Sequence, residues 1–194
     1  PSLIRSSTKL LPIKPSPPVT ITFFINYFFT LVKTISIVEY TYRMSISRQN
    51  LSVIIVSFKS DHVIHQCIES IEKDIEILVV DNSNNPEFKK ELEKKYTNVK
   101  CILSSKNIGM GAGNNLGIKY TNNDYVFILN PDVKLDSNSI NEIITASKIL
   151  EPFGILAPIS NKKEYPNYKL DTKTKFDPLK PFQVKSVDGY AMFL

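Results

Sequence analysis

Metal-ligating and disulfide-forming side chains are scarce: the 194 residues include two cysteines and two histidines. Cys67 and Cys101 cannot build a disulfide framework in a chain of this size, so they read as free, buried thiols in a reducing compartment. His62 and His65 have no further His or Cys cluster to complete a site of three or four ligands, which argues against a zinc centre. A G-K-[ST] tripeptide is missing, so there is no P-loop. Long apolar runs are missing too. The charge-free stretch Val19–Val32 is too short for a membrane span, and Asn26 and Lys33 interrupt the wider window. No small-residue cleavage site follows it, which excludes an ordinary signal peptide. The net charge is +5, but residues 1–43 carry Arg5, Lys9, Lys14, Lys33 and Arg43 against Glu39 alone. The remainder is nearly neutral, so the body of the chain lacks the basic face of a nucleic-acid binder.

Three readings of the leader 1–50 stay open: a weak peripheral membrane anchor, a disordered segment, or sequence upstream of a true start at Met44. All three put the start of the domain near Leu51, as residues 51–194. The apolar fraction of 42% is ordinary for a globular protein and allows a sizeable core.

What is present is an alternation of buried strands and amphipathic helices. Leu51–Val56, Ile75–Val80, Val99–Leu103 and Tyr125–Leu129 are short apolar, largely β-branched runs. Such runs suit strands buried on both faces of a parallel sheet. Between them, Asp61 caps a helix to about Ile71, with Val63, Ile64, Cys67, Ile68 and Ile71 on one stripe. Asn85-Pro86 opens a second helix to Tyr96. Asp136–Leu150 forms another, with a capping box from Ser139 to Glu142. Pro152 and Gly154 end it. Ile155–Ile159 reads as a strand, 160–183 as a long surface loop, and Tyr190–Leu194 as entry to a further strand that points past the last residue. Together these predict an α/β fold, a mostly parallel sheet with helices on both faces and right-handed crossovers, incomplete at its C-terminal end.

The chemistry gathers at strand ends. The first strand ends at Ser57, the second at Asp81, and the central one at Asn130-Pro131-Asp132, where proline stops the ladder. All three ends lie on one edge of the sheet, where open α/β sheets bind ligands. The stretch Asn107-Ile-Gly-Met-Gly-Ala-Gly-Asn-Asn-Leu-Gly117 reads as a glycine loop capping a helix from Asn114 to Tyr120. It fails the G-x-G-x-x-G spacing, since Asn114 or Leu116 stands where the third glycine belongs. Two carboxylates and a run of amides facing one crevice suit a nucleotide diphosphate. One carboxylate would meet base or ribose, the other a cation that neutralises phosphates.

Ser52-Val-Ile-Ile-Val-Ser-Phe-Lys-Ser60, Ile77-Leu-Val-Val-Asp-Asn-Ser83, the glycine stretch and Ile128-Leu-Asn-Pro-Asp-Val133 occur in an order that resembles family 2 glycosyltransferases. The rhamnosyltransferase-like branch is the nearest in look, over about Leu51–Leu194. The resemblance implies a GT-A, nucleotide-diphospho-sugar transferase fold that is Rossmann-like. It implies transfer of a sugar, with inversion, from a dTDP- or UDP-linked donor to a saccharide or lipid-linked acceptor, as in cell-surface polysaccharide synthesis in the cytoplasm or at the cytoplasmic face of a membrane. By position, Ser57 would lie under the base, Asp81 would contact base or ribose, and Asn107 and Asn115 would lie near the nucleotide sugar. Asp132 matches the last aspartate of the metal motif for Mg²⁺ or Mn²⁺, and Asn130 replaces the first. Gly189 matches the glycine before the acceptor-side strand. The family's general base follows that strand, which puts it beyond Leu194, so the expectation for these residues alone is donor binding without turnover. A nucleotidyltransferase would carry a basic glycine-rich loop where Ser57-Phe58-Lys59-Ser60 stands, and a sugar-nucleotide-binding domain without catalysis is the other rival.

Overall fold

The computed structural model describes residues 20–24 (backbone only), 46–150, 153–159, 168–169 and 181–194. Six of its strands fall at the apolar runs expected from the sequence, and the one at Thr20–Phe24, within the leader, was not expected. Strand β1 is Thr20–Phe24, β2 Leu51–Ser57, β3 Glu76–Asp81, β4 Val99–Leu103, β5 Tyr125–Leu129, β6 Ile155–Ile159 and β9 Ala191–Phe193. They form one seven-stranded sheet in the order β1-β6-β9-β5-β2-β3-β4. Neighbours among β2, β3, β4 and β5 pair in parallel, whereas β9 runs antiparallel to β5 and β6, and β1 antiparallel to β6. The two remaining strands, β7 (Tyr168–Lys169) and β8 (Ser186–Val187), pair with each other in a separate antiparallel ribbon.

Four helices connect the parallel strands: α1 Ile64–Glu69, α2 Pro86–Lys95, α3 Met110–Tyr120 and α4 Ser139–Leu150. Because side chains alternate along a strand, each strand feeds two cores. Val53, Ile55, Ile77, Val79 and Phe127 join the apolar stripes of α1, α2 and α4 in the larger one. Ile54, Leu78, Val126 and Ile128 face the other way, and α3 lies across this second face. The fold is thus α/β with helices on both sides of a mostly parallel sheet. The chain builds outward from β2 through β3 to β4, then returns to place β5 on the other side of β2. That reversal is the topological switch point, and it puts the ends of β2 and β5 side by side.

Three helix starts differ from the sequence expectation. The loop after β2 spends its turn in the backbone: Ser60 O accepts from Val63 and Ile64 N–H, so α1 begins at Ile64 and Asp61 stands exposed without capping it. Helix α4 begins at Ser139, and the capping box with Glu142 does not form. The Ser139 hydroxyl instead accepts from Asp136 N–H at 3.0 Å, and Glu142 takes a hydrogen bond from Asn138 Nδ2. Helix α3 begins at Met110, several residues before the expected Asn114, and takes the glycine stretch into its first turns. By contrast Asn85 caps α2 as expected, its Oδ1 accepting from Phe88 N–H at 3.1 Å. Most of the expected loop 160–183 and of the leader 1–50 lies outside the described residues. Within the leader, Thr20–Phe24 forms the edge strand β1, and Arg48 pairs with Glu72 at 3.0 Å just ahead of β2. Among the described residues no helix is long and apolar enough to cross a membrane.

Candidate functional site

Glycine has no Cβ, and α3 uses that freedom to approach the sheet closely. A Cβ on Gly113 would lie 2.8 Å from Val56 Cγ1, and one on Gly117 would lie 2.6 Å from Ile54 Cγ2. This contact brings the N-terminus of α3 over the C-terminal ends of β2 and β3. The unpaired N–H groups of a helix's first turn and its dipole make that end attractive to anions. Gly109, at φ 80°, turns the chain into the helix. Asn107 holds the approach, its Oδ1 accepting from Gly109 N–H at 2.9 Å.

Near this end three buried polar atoms have no hydrogen-bond partner among the described residues: Ser57 Oγ, Asn82 Oδ1 and Asn114 Oδ1. The last two lie on the α3 side of the sheet and Ser57, in step with Val53 and Ile55, on the α1–α2 side. Their residues are 0%, 3% and 5% exposed. The strand ends and the helix start that carry them are joined: Asn82 N–H donates to Ser57 O at 2.8 Å and Asn82 Nδ2 donates to Gly109 O at 3.3 Å. A buried polar atom left without a partner costs about 1–3 kcal/mol, so these atoms are open to a polar ligand or to water.

Asp81 holds the loop that follows it. Its carboxylate is fully buried and turns back into its own loop, Oδ1 accepting from Ser83 N–H at 2.9 Å and Oδ2 from Asn85 N–H at 2.8 Å. The loop so formed meets the one after β2, where Lys59 N–H donates to Ser83 Oγ at 2.7 Å. Lys59 and Asn84 both hold positive φ, 54° and 53°; asparagine adopts that conformation readily in turns, whereas a lysine keeps it only where the surroundings enforce it. A cavity of about 510 Å³ opens on the α1–α2 side of these two loops, lined by Lys59, His62 and Ser83–Glu87, and contains none of the three unpaired atoms.

The end of β5 supplies the other side of the crevice. Asn130 is half-buried and Asp132 exposed. Asn130 N–H donates to Tyr190 O at 2.8 Å, which docks the Asp188–Tyr190 turn against the Asn-Pro-Asp turn. Gly189 sits in that docked turn, where a Cβ would lie 3.5 Å from Met110 Cε at the head of α3. The structure therefore gathers Ser57, Asp81, Asn107, Asn130, Asp132 and Gly189 around one sheet edge. It does not bring in Asn115, which is exposed on the side of α3 turned away from Gly113 and the sheet. Asn82 was missed by the sequence reading, and Asn114, one of three asparagines in the glycine stretch, was passed over in favour of Asn107 and Asn115. Asn114 was recoverable, because glycines at 109, 113 and 117 repeat at the helical interval of four, which fixes the face that meets the sheet.

Among the described residues no three His, Cys, Asp or Glu side chains gather in a metal-binding group. Asp132 still fits a hard cation of the Mg²⁺ or Mn²⁺ kind. Such ions bind through one or two carboxylates and take the remaining oxygens from phosphates and water. Asp132 is exposed just past the end of β5, as that arrangement needs.

The two thiols, both buried and free, stand behind the site. Burial pushes Cys67 up to about 12, with the negative charge of Asp132 adding to it. Burial likewise raises Cys101 to about 12, with Asp81 contributing next. Both thiols therefore stay protonated through the ordinary pH range. Iodoacetamide at pH 8 is expected to leave both unmodified in the native chain and to label both in guanidinium, as read by mass spectrometry. Rapid labelling of the native chain would contradict this burial.

The family model described as glycosyl transferase family 2 matches residues 52–185. The low-salt glycan biosynthesis hexosyltransferase Agl10 of Haloferax volcanii is 33% identical over 122 residues, covering 60% of this chain and 39% of that protein. This chain thus spans about two-fifths of the length of that curated relative. Among solved structures, S. aureus TarS in complex with UDP-GlcNAc is 20% identical over 52% of this chain and 31% of its own, with a TM-score of 0.45. The mannosyltransferase PcManGT of Pyrobaculum calidifontis, in complex with GDP-Man and Mn²⁺, is 14% identical over 56% and 35%, with a TM-score of 0.49.

Proposed function

The chain belongs to glycosyl transferase family 2, and from that premise we propose that the crevice at the ends of β2, β3 and β5 binds a nucleotide-diphosphate sugar for transfer to a saccharide or lipid-linked acceptor in glycan synthesis. The observation that carries this reading is the pair of unpaired buried amide oxygens, Asn82 Oδ1 and Asn114 Oδ1, beneath the N-terminus of α3, with Ser57 Oγ also unpaired at the end of β2. Two amide oxygens are acceptors, suited to N–H and O–H donors of a base or ribose. The helix N-terminus suits the diphosphate. Asp81 acts one step back, shaping the loop that carries Asn82.

Asp132 would hold Mg²⁺ or Mn²⁺, which supplies charge neutralisation for the departing diphosphate. The Asp188–Tyr190 turn, with Gly189, borders the crevice where an acceptor would approach. A dTDP- or UDP-linked hexose is the proposed donor, hexosyl transfer being what the name of Agl10 states; a rhamnosyl donor falls in that class. Transfer with inversion needs a base to take the acceptor's proton, and the family pattern puts it after the Gly189 strand.

Calorimetry with UDP and with dTDP, each with and without Mn²⁺, tests the reading. Binding strengthened by Mn²⁺ is the expected result. Failure of both nucleotides to bind, with the metal present, would overturn it.

A further inference from the structure

We propose that Cys67 and Ser70 of the α1 segment are positioning residues, bracing the Asn130–Leu135 loop so that Asp132 is presented to its cation in one geometry. The inference rests on the reading of Asp132 given above.

An exposed carboxylate on a connecting loop pays to be ordered. Fixing a residue's backbone costs about 1–2 kcal/mol, so a loop held in place beforehand binds more tightly. This loop is held at both ends by one helical turn. At its start, Cys67 Sγ–H donates to Asn130 O at 3.6 Å. At its finish, Leu135 N–H donates to Ser70 Oγ at 3.0 Å, and the Leu135 side chain is buried in the main core. The Ser70 hydroxyl in turn donates to Cys67 O at 2.7 Å, which closes the brace into a ring. Residues three apart on a helical turn share a face, so the two anchors point the same way.

The residue types suit the task. A serine hydroxyl accepts and donates at once, as this position demands. A thiol is small and apolar enough to be buried while still offering a weak donor. Within the loop, Val133 N–H donates to Asn130 O at 3.1 Å and shapes the turn that carries Asp132. None of these bonds touches Ser57, Asn82 or Asn114. The brace should therefore affect the cation and leave metal-free nucleotide binding alone.

The test uses the full chain as wild type, Ser70→Ala, Ser70→Thr and Cys67→Ala. Three quantities are measured: hydrogen exchange across 130–135 without ligand, UDP affinity without metal, and Mn²⁺ affinity of the UDP complex. Ser70→Ala is expected to speed exchange at Leu135 and to weaken Mn²⁺ about fivefold, the equivalent of one neutral hydrogen bond, with metal-free UDP affinity unchanged. Cys67→Ala moves the same readouts in the same direction. Ser70→Thr, which keeps the hydroxyl, retains wild-type values. Unchanged Mn²⁺ affinity in both alanine variants would overturn the proposal. So would an equal loss of metal-free UDP affinity, which marks general damage to the fold. A wild type that binds UDP without any response to Mn²⁺ removes the reading of Asp132 and this inference with it, and is told apart because the unmodified chain itself fails.

Discussion

Replacing Asp132 by asparagine is expected to abolish the Mn²⁺-dependent part of nucleotide-diphosphate binding and to leave the metal-free part in place. The substitution is nearly isosteric and lies at an exposed position, so the fold has little to lose. The chemistry has much to lose. Hard divalent cations bind anionic oxygens, and a neutral amide oxygen is a poor substitute. The position two residues earlier is already an amide, Asn130, so the variant leaves no protein carboxylate on the Asn-Pro-Asp turn. Outer-shell changes around metal ligands alone cost tenfold to a hundredfold in affinity, so loss of the ligand itself should cost at least about tenfold. Mn²⁺ titration of the UDP complex, followed by calorimetry, gives the answer. A variant with wild-type Mn²⁺ response would remove Asp132 from the metal role and turn attention to the exposed Asp188 across the docked turn.

The parts of this fold that the sequence made legible are those decided locally. β2, β3 and β5 are buried on both faces, so their β-branched runs leave little doubt about strand and position. The ends of those strands were legible too, because Asp81-Asn82 and Asn130-Pro131 are breakers with a mechanism. What stayed hidden depends on partners far along the chain. Nothing in the neighbours of Asp81 told that Ser83 and Asn85 would turn their amides onto its carboxylate. Asn114 and Asn115 are adjacent in sequence, yet one is buried beneath α3 and the other is exposed. Choosing between them requires the phase of the helix, and reading the glycines as a loop discarded that phase. β9 could be named as a strand but not placed, because its antiparallel insertion between β5 and β6 is a long-range pairing. The brace from Cys67 and Ser70 joins two elements distant in sequence and leaves no local trace at all.

The second large effect is one of stability, and it turns on the same glycines. Gly117→Ala is expected to destabilise the chain, whereas Gly111→Ala, on the same helix, is expected to be neutral or stabilising. Propensity alone predicts the reverse for Gly117, since alanine is favoured over glycine in a helix interior by about 1 kcal/mol. Packing opposes it. A methyl at 117 would sit 2.6 Å from Ile54 Cγ2 and 3.4 Å from Val80 Cγ2. Ile54 is fully buried in the centre of the sheet, and its branched Cβ leaves χ1 few alternatives, so the clash must be relieved by lifting α3. Overpacking of this kind costs about 1–3 kcal/mol, and more when it moves an element, so packing wins. At Gly111 a Cβ meets nothing within 4 Å, and only the propensity gain remains. Urea denaturation of the two variants separates the terms. Lifting α3 also moves Asn114 and the helix N-terminus, so Gly117→Ala should weaken metal-free UDP binding while Gly111→Ala leaves it intact. If Gly117→Ala instead matched Gly111→Ala in both stability and UDP affinity, close contact between α3 and β2 would not be what sets the depth of the crevice.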